Sequence, residues 1–269
     1  MSDSAYRVRA SSWAALFECA YRWEGIHLLG MRNVVGLRAA LGTAIHAGTA
    51  VFDQSVLDGS GLTADDAAGA FIDKLHDPAN EYNPASDDLS LRDAERIGLS
   101  LTTKYCLEVS PRYTFVAVEM ETKPLDIDCG GGIIIRLTGQ LDRSRVRRTA
   151  LGPGIADLKS GSAAVQNGVA NTKGHGPQIG TYEMLYEHTT GELIGDTAEI
   201  IGLKTKGTPE IATAPVKNGK RAMLGEDGEP GLIEFAADMF RTGRFFPNPK
   251  SLLCDAKYCP RHGSCKFHE

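Results

Sequence analysis

At Pro111 the period of the chain changes. Before it, apolar residues recur every three to four positions, as on helices laid against a core; after it they alternate, as on strands. Behind a serine cap, "SSWAALFECAYRWEGIHLL" sets Trp13, Leu16, Phe17, Ala20 and Trp23 on one stripe and predicts a single helix with Cys19 inside it. A second helix over about 36–57 has Leu37, Leu41, Ile45, Phe52 and Val56 as its buried stripe. Beside that stripe run the small residues Ala39, Gly42 and Ala50, with His46 and Asp53 among them. Thr63 opens a third helix. Residues 89–109 supply a fourth, with Ile97, Leu101 and Tyr105 facing inward.

Beyond Pro111, "YTFVAVEMET" reads as a strand, "DCGGG" as a turn suited to positive φ angles, and "IIIRLTGQLDRSRV" as one longer strand. "IADLKSG" is a third, and the three make an antiparallel meander by default. A polar loop, "AAVQNGVANTKGHG", leads to a helix opened by Pro177. Two more strands, "AEIIGLKTKG" and "PEIATAPV", and a final helix in "PGLIEFAADMFRTGR" precede the cysteine-bearing end. The order predicts one α/β domain over 1–269 with a central mixed sheet flanked by helices. Its parts are a helical N-terminal portion (1–110), a sheet and helix (111–217), and a C-terminal helix with a cysteine tail (218–269).

Composition narrows the function class. With 42% hydrophobic and 23% charged residues the chain is ordinary globular protein, and its net charge of -5 exerts no global pull on nucleic acid. A nucleic-acid role therefore needs a local basic surface or a metal that offsets an acidic site. The start shows no signal-peptide h-region and no window spans a membrane, so a cytoplasmic protein is expected. In that reducing compartment clustered cysteines read first as metal ligands.

Chemistry concentrates around "DLK". Asp157 and Lys159 are two apart, so on a strand they share a face, and a hairpin can bring Asp142 of "GQLD" beside Asp157. Two carboxylates that close repel unless a divalent cation sits between them. Mg²⁺ or Mn²⁺ suits oxygen ligands and could also take the Leu158 backbone carbonyl. Lys159 could then stabilise negative charge on an attacked phosphodiester. The plainer alternative is a cross-strand ion pair between Asp142 and Lys159 on a wet face. Basic residues in "RSRVRR" and at Lys204, Lys206, Lys217, Lys220 and Arg221 read either as a phosphate track or as a solvated face. Trp13, Tyr21 and Trp23 have the spacing of core residues rather than of a base-stacking platform.

The histidine of "GTAIHAG", the aspartate of "GQLD", the "DLK" strand, the glutamine and tyrosine of "QIGTY" and three terminal cysteines occur together and in order. In this the chain resembles the RecB-like branch of the PD-(D/E)XK nuclease superfamily, including single-domain phage and CRISPR-adaptation nucleases. The resemblance implies a restriction-endonuclease-like core with His46, Asp142, Asp157 and the Leu158 carbonyl as metal ligands and Lys159 as the catalytic lysine. It implies a supporting or DNA-contacting role for Gln178 and Tyr182. Glu119 could assist through its carboxylate, although Glu121 shares its direction on an ideal strand. The implied activity is a metal-dependent DNA nuclease, an exonuclease by preference. It would act on ends or single strands in recombination, replication, repair or adaptation, with a recombination or replication protein as a conceivable partner. The rival readings are a non-catalytic iron–sulfur DNA-binding or assembly module of the same fold, and an RNA or nucleotide phosphodiesterase.

Cys254, Cys259 and Cys265 fall in the last sixteen residues and want a fourth soft ligand. Candidates are Cys19, Cys106, Cys129, His262 and His268. Mixed sulfur and nitrogen ligands would make a zinc site, and four thiolates suit either zinc or a 4Fe-4S cluster. The family resemblance favours Cys19 and a 4Fe-4S cluster that clamps the two ends of the chain. Cys106 and Cys129 are then ordinary thiols.

Overall fold

A computed structural model of the chain describes residues 5–32, 34–80, 82–83, 88–147 and 150–268. Strand β1 (Tyr6–Arg9) leads into two short helices, α1 (Trp13–Glu18) and α2 (Ala20–His27). The long α3 (Leu37–Asp58), α4 (Ala64–Leu75) and α5 (Leu91–Lys104) follow, and α5 widens into a π-turn over Tyr105–Val109. Strands β2 (Thr114–Glu121), β3 (Leu125–Asp128), β4 (Ile134–Thr138), β5 (Gln140–Val146) and β6 (Gly154–Gly161) come next. Helix α6 (Gly176–Thr190) crosses to β7 (Ala198–Lys204), which turns back into β8 (Glu210–Val216). Helices α7 (Gly219–Leu224) and α8 (Leu232–Thr242) precede the tail. Among the described residues no helix is long and apolar enough to cross a membrane.

The central sheet has the order β8-β7-β6-β5-β2 and is mixed. β6 and β7 run parallel, as the α6 crossover requires, and the other neighbours are antiparallel. Alternation along the strands divides the core. Ala156, Leu158, Ile201 and Leu203 pack under α3, α4 and α5 on one face. Leu141, Ile155, Ala198 and Ile200 pack under Ile179, Tyr182 and Tyr186 of α6 on the other. The fold is thus α/β with a central mixed sheet flanked by helices, as the order of periodicities predicts. The meander β2-β5-β6 is present, and β3 and β4 leave it to form a smaller sheet of order β1-β4-β3.

Local expectations need correction at several points. The first helix is two helices, because Cys19 is extended (φ -152°, ψ 92°) between Glu18 and Ala20. Trp13, Leu16, Ala20 and Trp23 remain buried on either side, but Phe17 is swung out and is 41% exposed. The long strand "IIIRLTGQLDRSRV" breaks at Gly139, where a Cβ would stand 2.9 Å from the Tyr182 ring and 3.3 Å from Ala10. The chain passes there from the small sheet to the large one. On α3 the buried stripe turns polar toward its end: Thr49, Asp53 and Ser55 are buried, whereas Val56 is half-exposed. In the polar loop, Asn167 and Gly168 take positive φ and close a small hairpin between Val165–Gln166 and Val169–Ala170.

α7 lies against α6 through a glycine pair. A Cβ on Gly180 would fall 2.2 Å from the Gly219 carbonyl carbon and oxygen, which are backbone atoms and cannot swing aside. Gly180→Ala is therefore expected to cost about 1–3 kcal/mol through overpacking. A thermal melt should show a loss of about 2–4 °C per kcal/mol in a chain of this size. An unchanged melting temperature would show that α7 yields freely.

Candidate active site

Strands β5 and β6 pair regularly from Arg145 and Gly154 up to Arg143 and Ala156, and there the ladder ends. One residue further on, Asp142 turns its carboxylate into the gap, and Oδ2 accepts the Leu158 N–H at 2.8 Å. A side chain thus replaces the backbone partner and the two strands splay. Asp142 Oδ2 also lies 3.6 Å from His46 Nδ1, brought in by α3. The helix can come this close because its facing residue is Gly42, where a Cβ would stand 2.6 Å from Ser160 Oγ.

Opposite Asp142 on β2 stands Glu119, as the pairings of Val118 with Arg143 and Met120 with Leu141 require. Its φ of 46° is left-handed, which costs a non-glycine residue on the order of 1–3 kcal/mol in mid-strand. The left-handed backbone departs from the regular alternation that would point Glu119 and Glu121 the same way. His46, Glu119 and Asp142 offer ligand atoms within 4.8 Å of one another. Glu119, named from the sequence with Glu121 sharing its direction, is the one of the two glutamates that joins this group.

Asp157 is fully buried beside this group rather than within it. Its Oδ1 accepts from Gln178 Nε2 at 3.1 Å, and Gln178 also donates to the Tyr182 hydroxyl at 3.2 Å. The i, i+4 pair on α6 therefore points into the site and holds Asp157. Asp157 Oδ2 has no well-directed hydrogen bond and stands 2.5 Å from the Lys159 ammonium. Lys159 thus meets Asp157, on its own strand, and not Asp142 across the hairpin.

Charge is strained here. Burial pushes the Asp157 carboxyl up to about 6, with the Asp142 charge adding and Lys159 opposing. Burial and Asp142 likewise raise Glu119, against the pull of Arg143. Burial also works against Asp142 ionising, but His46, Lys159 and Arg143 together hold it below the usual carboxylate range. His46 would be lowered by burial, yet Asp142 raises it above its ordinary value. The Asp142 charge thus raises both neighbouring carboxyls, and three carboxyl groups and an imidazole gathered this closely form a donor set that a divalent cation would satisfy. A groove of about 590 Å³ runs up to it along the small-residue face of α3, past Ala39, Gly42, His46 and Glu119. His175, the residue before α6, was not singled out from the sequence; burial and then Lys159 lower it to about 4.

Of the two readings of the basic residues, phosphate track or solvated face, neither fits the first arginines of "RSRVRR". Arg143 and Arg145 are fully buried, Arg145 with Glu199 at 2.8 Å and Asp196 at 2.5 Å, and Arg147 pairs with Asp196 at 2.6 Å. Arg148 lies outside the described residues. Lys204, Lys220 and Arg221 are paired with Glu210, Glu187 and Glu226, while Lys206 and Lys217 are exposed. Trp13 and Trp23 are core, and Tyr21 stacks under Arg261 with the guanidinium 4.0 Å from the ring centre.

At the opposite end of the chain Cys19, Cys254, Cys259 and Cys265 line one cavity, together with His262 and His268. The Cys254 thiol is pushed up by burial and by the Cys265, Cys259 and Cys19 sulfurs. Protein contacts also dock the tail. Arg261 donates to Glu24 at 2.8 Å, Arg22 to the Tyr258 carbonyl at 2.9 Å, and Asn248 N–H to Cys19 Sγ at 3.4 Å. Cys106 is buried in the core, its thiol pushed up to about 12 by burial and Asp53, and Cys129 sits apart on the small sheet.

Comparison with known proteins agrees with this geometry. A family model of the PD-(D/E)XK nuclease superfamily matches residues 8–266. No curated protein matches significantly. Among solved structures, a crystal structure from Eubacterium rectale described as a "putative exonuclease" aligns with a TM-score of 0.54. The alignment covers 93% of this chain and 87% of that one at 12% identity, which speaks to the fold alone. Since the family model spans nearly every element described, from β1 through the splayed strands to the cysteine tail, the chain belongs to the PD-(D/E)XK nuclease superfamily and is a nuclease, a phosphodiester hydrolase of nucleic acid.

Proposed function

We propose that the chain is a Mg²⁺- or Mn²⁺-dependent deoxyribonuclease, acting as an exonuclease in the cytoplasm during recombination, replication or repair. The observation that carries this reading is the group of His46, Glu119 and Asp142 at the splayed end of β5 and β6, with Asp157 and Lys159 beside it. His46, Asp142, Asp157 and Glu119 would hold the cation. The Leu158 carbonyl is a further candidate: in a strand N–H and C=O of one residue point to the same side, and the Leu158 N–H points to Asp142. A divalent cation at this position supplies a hydroxide-forming water and polarises the phosphoryl oxygen. Lys159 opposes the negative charge that grows on the phosphate as it is attacked. Gln178 and Tyr182 keep the Asp157 carboxylate aimed. The groove along α3 suits an extended strand, and the printed description of the Eubacterium rectale neighbour is in keeping with exonuclease action.

The cysteine cavity supports the accompanying proposal of a 4Fe-4S cluster on Cys19, Cys254, Cys259 and Cys265. Four thiolates around one cavity suit a cubane cluster, and they also suit a tetrahedral zinc.

End-labelled single- and double-stranded DNA, with RNA as a control, should be digested in the presence of Mn²⁺ and left intact in EDTA. Mononucleotide products released from a labelled end indicate an exonuclease. Cleavage of RNA alone would move the substrate class, and no cleavage of any substrate would overturn the proposal.

A further inference from the structure

One buried guanidinium joins the three elements that bring the donor atoms together. Arg143 follows Asp142 on β5 and is fully buried. Its Nη1 donates to Glu119 Oε1 at 2.9 Å on β2 and to the Asp142 carbonyl at 2.7 Å. Its Nε donates to Asp53 Oδ2 at 2.6 Å and its Nη2 to Thr49 Oγ1 at 3.2 Å, both on α3. Asp53, also fully buried, lies two turns beyond His46 on the same helix. The hydroxyls of Tyr105 and Ser110 donate to its two oxygens, each at 2.6 Å.

Such an arrangement is a poor way to gain stability. Removing two ions from water costs several kcal/mol each, and apolar residues of similar size usually do as well. What the ion pair supplies instead is direction. A guanidinium presents donors in a fixed plane, so a fork anchored by Asp53 and Thr49 fixes both Nη1 donors as well. One is taken by the Asp142 carbonyl and the other by the Glu119 carboxylate, on the one residue of β2 whose backbone is left-handed. A strained dihedral persists only when its surroundings over-determine it, and the Arg143 contact is a fixed restraint on this side chain.

We propose that Arg143, anchored by Asp53, is a positioning residue of the nuclease site that acts through Glu119, holding its carboxylate beside the Asp142 carboxylate and the His46 imidazole. This rests on the metal-site reading above. The test is a double-mutant cycle on Mn²⁺ affinity, read from the free-Mn²⁺ EPR signal. It uses wild type, Arg143→Lys, Glu119→Gln and the combination. Arg143→Lys keeps the charge but loses the fork, and is expected to weaken Mn²⁺ binding by about 10–100-fold, as outer-shell substitutions do. At saturating Mn²⁺ its cleavage rate should recover to near that of wild type. In the Glu119→Gln background the same substitution should add no further loss.

Losses that multiply in the combination, or undiminished affinity in Arg143→Lys, overturn the positioning role and leave the metal site standing. A wild type that binds no Mn²⁺ overturns both. If Arg143→Lys does not fold, Asp53→Asn with Arg143→Met exchanges the ion pair for a neutral pair of similar size. That variant should show the same drop in Mn²⁺ affinity, and wild-type affinity there equally refutes the proposal.

Discussion

Lys159→Ala is expected to lower the rate of DNA hydrolysis by on the order of 10²–10³ while leaving the protein folded. The size follows from removing one preorganised positive group from where transition-state charge develops. The fold should survive, because the Lys159 side chain is 24% exposed and ends the buried part of β6 rather than packing within the core. Asp157→Ala should be at least as severe for activity. Asp157 is fully buried, fixed by Gln178 and faced by Lys159, so its loss removes a carboxylate and leaves two polar partners without their acceptor. Gln178→Ala should cost less, about tenfold, since it only loosens the aim of Asp157. Single-turnover rates at saturating Mn²⁺ on an end-labelled oligonucleotide separate these three. If Lys159→Ala cleaves as fast as wild type, the ammonium is no more than the counter-ion of Asp157, and the charge-stabilising role is wrong.

These residues were legible in the sequence for a specific reason: each motif sits inside one element. The D-x-K spacing fixes two side chains on one face of a strand, and Gln178 and Tyr182 fix two on one face of a helix, whatever the rest of the chain does. The Thr63 cap is similarly local: the residue read as opening a helix does so, and the structure adds a reciprocal pair with Asp66. What escaped was decided by distant partners. The apolar stripe runs unbroken through Cys19, and the break there is imposed by the tail, whose Asn248 bonds both Glu18 and Cys19. The "RSRVRR" run reads as a basic surface until Asp53, Asp196 and Glu199, from as far as ninety positions away, are seen to bury its first two arginines. Glu119 was named from the sequence, with Glu121 diluting the signal because the strand rule assumes a regular backbone; the left-handed residue that breaks the rule is Glu119 itself. The Asn-Gly hairpin at 167–168 is different: its turn signal was present locally and was passed over in favour of a loop.

Cys19→Ser is expected to abolish the brown colour and the acid-labile sulfide of anaerobically purified protein, and to lower its melting temperature. The ligand set spans almost the whole chain, with roughly 235 residues (254 minus 19) between Cys19 and Cys254. A cross-link closing a loop of that length removes unfolded-state entropy corresponding to about 5 kcal/mol in the chain-entropy model. At about 2–4 °C per kcal/mol that is a drop of roughly 10–20 °C, and it is an upper bound. The tail is already held to α1 and α2 by the Arg261–Glu24 pair, the Arg261–Tyr21 stack and the Asn248 and Ser251 contacts with Glu18. Those contacts belong to the folded chain and do not involve the Cys19 sulfur, so the variant is expected to fold. The extended backbone at Cys19 turns the sulfur toward the tail instead of leaving it on a helix surface. Cys129→Ser, on the small sheet and away from the cavity, should change neither colour nor melting temperature by comparison. Stoichiometric zinc without iron in the wild type, unaffected by Cys19→Ser, would instead assign the site to the three tail cysteines with His262 or His268 and remove the clamp between the two ends of the chain.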